Sequence, residues 1–134
     1  MTSLIDTRIA TLERKEDGRL DVRFKPDQRI DIAGIEEILA QRRRSCPEGP
    51  LSVLAVLPPD VDFDIAVVMK DHYAGLGLEN CTKALAFAAN SATNERIVGL
   101  YFAYFPQRFA TRVCSDENEA TRWLAEQAMD RVGS

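Results

Sequence analysis

A single histidine, His72, stands in 134 residues, and that scarcity removes much of the common hydrolytic chemistry. A nucleophile–base pair needs the base within hydrogen-bond reach and a third group to orient it. No GxSxG elbow, HExxH helix, phosphate-binding loop or GxGxxG turn accompanies His72, which lies between Asp71 and Tyr73. The expectation is a protein that is not an enzyme and needs no cofactor.

Cysteine is scarce as well. Cys46, Cys81 and Cys114 lie far apart, odd in number and without CxxC spacing, a pattern that fits free thiols in a reducing compartment. A cytoplasmic protein is expected. Basic charge is also short: 17 Lys and Arg against 21 Asp and Glu leave a formal charge of −4. Nucleic acids and anionic membranes demand a positive field, so neither is an expected partner. The one basic run, Arg42-Arg43-Arg44, reads as the last turn of a helix, where positive charge complements the helix dipole. No segment is long enough to span a membrane. The opening MTSLIDTRIATLERKED has neither a long apolar stretch nor a cleavage pattern, so no signal peptide is expected. Internal repeats and low-complexity segments are missing too.

What is present is a balanced composition, 46% hydrophobic and 28% charged, with enough apolar material for one core. At this length a single domain over residues 1–134 is expected. Residues 7–14 read as a strand, Lys15-Glu16-Asp17-Gly18 as a turn, and the alternation of Leu20, Val22 and Phe24 as a second strand. This N-terminal β-hairpin is placed at a sheet edge. Asp31 is the expected N-cap of a first helix to about Arg44, with Ile32, Ile35, Ile38 and Leu39 as its buried stripe. Pro47-Glu48-Gly49-Pro50 reads as a loop.

LSVLAVL (51–57), KALAFAA (83–89) and ATRVC (110–114) are short apolar runs of the kind buried on both faces of a sheet. A second helix is expected from Asp62 or Asp64 to Tyr73, a third from about Thr93 to Phe105. Asp116 followed by Glu119 has the capping-box spacing and opens a fourth, with a stripe of Ala120, Trp123, Leu124 and Ala128. Strands separated by helices make a mostly parallel sheet. The expected class is α/β, a mixed sheet of about five strands with about four helices.

Phe109-Ala110-Thr111-Arg112-Val113 and then Ser115-Asp116-Glu117-Asn118-Glu119-Ala120-Thr121-Arg122-Trp123-Leu124 carry a resemblance. They are similar to the "P-T-R-[LV]-F" strand and "[ST]-[DN]-E-x-E-A-x-x-W-L" helix of the SpoIIAA-like, STAS-type bacterial domains. The N-terminal half matches in order of elements. The resemblance implies a small α/β domain with a mixed sheet, often dimeric, used in regulation or binding. It also implies a phosphorylatable serine in a D-S-[ST]-G motif between an inner strand and the next helix. The corresponding loop here, Leu57 to Asp64, holds no serine or threonine, so that switch is not carried over. Its carboxylates Asp60, Asp62 and Asp64 form a candidate regulatory loop. They lack the glycine and terminal glutamate of a calcium loop, so no metal is expected there.

The most informative stretch is LYFAYFP (100–106), at the end of the third expected helix. At about 100° per residue, Val98, Tyr101, Phe102 and Phe105 share one stripe, which is assigned to the sheet. Ile97, Leu100 and Tyr104 fall on another. That second stripe must meet the N-terminal Leu4 and Ile5 or the second helix, a bound apolar molecule, or another chain. The candidate interface or ligand-binding residues are therefore Ile97, Leu100, Tyr101, Tyr104 and Phe105, with Phe63, Tyr73 and Phe109 beside them. Three functions follow: a regulatory or protein-interaction module, homodimeric through the second stripe; a carrier of a small apolar ligand or lipid in a Sec14-like pocket; and an enzyme pairing His72 with an acidic residue.

Overall fold

Alternation of apolar and polar residues on either side of Lys15–Gly18 produces the hairpin. In the computed structural model, which describes residues 4–46 and 49–133, β2 (Ala10–Arg14) and β3 (Arg19–Phe24) pair antiparallel. Gly18 closes the turn at φ 84°, a left-handed conformation that costs glycine little. A three-residue strand, β1 (Leu4–Asp6), pairs antiparallel with β2.

The three apolar runs form β5 (Leu51–Val56), β7 (Thr82–Ala88) and β8 (Ala110–Cys114). All are parallel to β3, and the six-stranded order is β1-β2-β3-β5-β7-β8. A two-stranded parallel ribbon of β4 (Arg29–Ile30) and β6 (Asp62–Phe63) lies apart from this sheet. Pro47 and Glu48 of the expected loop lie outside the described residues.

Three α-helices occur among the described residues: α1 (Ile32–Ser45), α2 (Ala92–Tyr104) and α3 (Glu117–Gly133). Side-chain oxygens satisfy their exposed first-turn amides. The Asp31 carboxylate accepts from Gly34 N–H at 2.8 Å and also meets Arg8. Ser91 accepts from Asn94 N–H, and Asp116 from Glu119 N–H.

The expected sheet of about five strands is close, and one expectation is corrected. The main sheet has six strands, because Leu4–Asp6 adds a strand too short to show an alternating pattern. The helix expected between Asp62 and Tyr73 does not form. Asp62 and Phe63 are in β6, Ile65–Met69 is a 3-10 helix, and Lys70 is extended (φ −142°, ψ 138°). Local bonds compete with a helix: Asp64 accepts from Ala66 N–H and Asp71 from Tyr73 N–H, each at 3.1 Å. Branched Ile65, Val67 and Val68 weaken it further.

The alternating side chains of β5 and β7 give the sheet two unlike faces. Ala84, Ala86 and Ala88 join Leu54 and Cys114 against Ala120 and Leu124 of α3. The side chain of Ala128, expected on the same stripe, lies outside the described residues. Val53, Ala55, Leu85 and Phe87 face the other way, toward Ile38 of α1, Val67 and Val98 of α2. A charged clamp closes the α3 side. Arg23 donates twice to Glu117 at 2.9 Å, and buried Asp21 accepts from Arg19 at 2.6 Å.

Candidate functional site

The face of the sheet opposite α3 carries large side chains, and they do not fill it. A cavity of about 70 Å³ lies between β3, β7, α2 and the 3-10 segment. Phe63, Tyr73, Ile97 and Tyr101 all line it, so the structure brings together four of the eight aromatic and aliphatic candidates. Two more support its wall: Phe109 meets Tyr73 edge-on at 5.6 Å between ring centroids, and Phe105 meets Tyr101 at 5.3 Å. Leu100 and Tyr104 stay outside, 54% and 76% exposed. The second stripe of α2 is thus divided, with half-buried Ile97 turned to the cavity and the other two to solvent.

Leu4 and Ile5 do not cover that outer face. They are exposed in β1, at the sheet edge opposite β8, while α2 packs beside β8. The 3-10 segment does touch α2, yet it adds two exposed side chains of its own, Ile65 (75%) and Met69 (73%).

The burial of His72 is the feature that pattern reading missed. It is 8% exposed and lines the cavity. Its Nε2 lies 2.7 Å from the carbonyl oxygen of Val67, which can only accept, so Nε2 carries the proton. In the neutral ring Nδ1 is then an acceptor. It is buried and has no hydrogen-bond partner among the described residues. The ring lies nearly parallel to Tyr101, 18° apart with centroids 5.9 Å apart, and the His72 backbone N–H donates to the Tyr101 hydroxyl. Burial pushes the Tyr101 phenol up to about 12 and Tyr73 higher still, so both stay protonated at neutral pH.

An acid–base histidine is commonly oriented by a carboxylate. Here a backbone carbonyl holds the ring, and the neighbouring Asp71 carboxylate is engaged by Tyr73 N–H and the Gln107 amide. No signal in the sequence marks His72 as inward-facing, because its orientation follows from the irregular path after Met69 and not from a helical repeat.

A second cavity of about 70 Å³ shares Phe24, Ile35, Tyr73 and Phe87 with the first. Arg42 and Thr82 line its far side. Arg42 is buried, not a solvated end of the basic run, and donates to Thr82 Oγ1 at 2.7 Å. Burial lowers its pKa. Arg43 and Arg44 remain exposed.

The Asp60–Asp64 loop is tied at its base. Asn90 Nδ2 donates to Leu57 O, and Asn94 Nδ2 donates to Pro58 O and Ala89 O, all at 2.8 Å. Asp60 is exposed, while Asp62 and Asp64 face Arg29 at 3.7 and 4.0 Å. Cys46 and Cys81 form a disulfide with Cα atoms 5.2 Å apart, which corrects the expectation of three free thiols. The fold brings α1's end to the start of β7 across 35 residues of sequence. Cys114 is free and buried, and burial raises its thiol to about 11.

The chain belongs to the family described as Domain of unknown function (DUF7793), whose model matches residues 14–128. No curated protein and no solved structure matches it. No helix among the described residues is long and apolar enough to cross a membrane.

Proposed function

We propose that the chain is a SpoIIAA-like, STAS-type module that acts without catalysis, through contact with other protein, and that it is homodimeric through the outer face of α2. One observation supports this reading above others: Leu100 and Tyr104 remain 54% and 76% exposed on a helix whose other large apolar side chains are buried or half-buried. Large apolar side chains grouped in solvent mark contact surfaces, and tyrosine is a common anchor there. Ile65 and Met69, on the segment that contacts α2, are exposed apolar side chains as well.

A two-fold axis uses the same patch twice, so a modest patch suffices. Burying these four side chains contributes on the order of 5 kcal/mol of gross transfer energy per protomer. Lost translational freedom offsets part of it. The loop from Leu57 to Asp64 offers no hydroxyl for phosphorylation, so regulation in this reading comes from association and not from a phosphoserine. The same reading keeps the protein in the cytoplasm, with the Cys46–Cys81 disulfide as an oxidised link between two neighbouring segments.

Light scattering tests the proposal. The wild-type protein is expected at twice its 15.0 kDa chain mass. Tyr104→Asp combined with Leu100→Asp is expected at the single-chain mass with an unchanged circular dichroism spectrum. A wild-type protein that stays at the single-chain mass throughout the micromolar range refutes it.

A further inference from the structure

An apolar cavity that leaves a buried acceptor of a lining residue without a partner among the described residues is incomplete as a piece of core. Buried polar groups are nearly always hydrogen-bonded, and an unpaired one is costly to leave. Ligand pockets have the opposite habit: apolar walls and a few polar atoms held ready to orient the guest. His72 fits that second description. Two bonds to the protein fix its position, Nε2–H to Val67 O and the backbone N–H to the Tyr101 hydroxyl. Neither uses Nδ1, the buried acceptor without a partner. The cavity that His72 lines is walled by branched aliphatics and aromatics, and half-buried Phe63, Val68 and Ile97 carry the lining out to solvent.

From this geometry we infer that the cavity is a binding site for a small apolar molecule carrying one hydrogen-bond donor, an aromatic or aliphatic alcohol in chemical class, whose hydroxyl donates to Nδ1 of His72. The tautomer sets the sense of the bond. With the proton on Nε2, a guest that can only accept gains nothing at Nδ1, whereas an O–H donor satisfies it. The site does not depend on association through Leu100 and Tyr104, which lie outside the cavity lining.

Three small probes, each able to enter the open mouth of the cavity, separate the apolar term from the hydrogen bond: phenol, anisole and toluene. Their binding is measured on the wild-type chain by titration calorimetry, and their location by shifts of the Val67, Ile97 and Val98 methyl resonances. All three are expected to shift those methyls. The phenol is expected to bind about tenfold more tightly than the other two, the worth of one hydrogen bond to a buried acceptor. In His72→Phe the three affinities are expected to converge, and Ile97→Trp is expected to abolish binding of all. Equal wild-type affinities for phenol and anisole overturn the role of His72, whether or not His72→Phe folds. Probes that leave the cavity methyls unmoved, with only an ordered water on Nδ1 in a crystal soaked with the phenol, overturn the site itself.

Discussion

The backbone N–H of His72 donates to the side-chain hydroxyl of Tyr101 across 2.9 Å, joining the irregular segment after β6 to the last turn of α2. The two residues are 29 apart in sequence and both are buried. This bond holds the cavity's only histidine against its aromatic wall. Tyr101→Phe keeps the ring and removes the acceptor, leaving a buried amide unpaired. A loss of about 1–2 kcal/mol is expected, read as a lower urea midpoint at unchanged slope. A midpoint equal to wild type would mean that the amide finds another acceptor.

Asn94 holds three segments together at the other end of α2. Its amide reaches the carbonyls of Pro58 and Ala89, and its side chain is almost fully buried. Asn94→Ala strands both carbonyls and should cost about 2–3 kcal/mol. The Asp60–Asp64 loop should loosen with it, seen as faster amide exchange at residues 60–64. Unchanged exchange there would mean that Asn90 alone anchors the loop.

Acid should weaken the clamp between β3 and α3. The paired hydrogen bonds from Arg23 hold the Glu117 carboxyl below its ordinary value of 4.5. A lowered folded-state pKa stabilises the protein above the unfolded value, and that stability is lost as pH falls through the lower folded value. The side chains of Arg23 and Glu117 are 43% and 42% exposed, so the contribution is at most about 1 kcal/mol. Wild type should therefore exceed Glu117→Gln in stability at pH 7, with the gap closing below about pH 4.5. A gap that persists undiminished at pH 2 would locate the effect in packing.

Thiol counting separates the cysteines. Protein purified without reductant and then denatured should report one thiol, from Cys114, and three after reduction. In the native state Cys114 should react slowly with iodoacetamide near neutral pH, because it is buried and its pKa is raised to about 11. Three thiols before reduction would show that Cys46 and Cys81 stay unjoined.

Much of the framework was legible because short-range rules governed it. The hairpin around Gly18, the Asp31 cap and the apolar strands at β5, β7 and β8 all declare themselves within a few neighbours. The helix expected from Asp62 to Tyr73 failed where two local rules competed. Asp64 and Asp71 spend their carboxylates on nearby amides, and the chain turns irregularly between them. Arg42 reads as one of three surface cations, yet its guanidinium is buried against Thr82 of a strand 40 residues away.

Sequence alone determined that α2 carries apolar residues on more than one side, since helical periodicity follows from the order of residues 97–105. Only the tertiary structure decided what each side meets. Ile97 and Tyr101 turn to the cavity, Leu100 and Tyr104 to solvent, and Nδ1 of His72 is buried without a partner among the described residues. The reason is physical: a helical repeat specifies angles about one axis, whereas burial depends on which distant segments the whole chain folds against that axis.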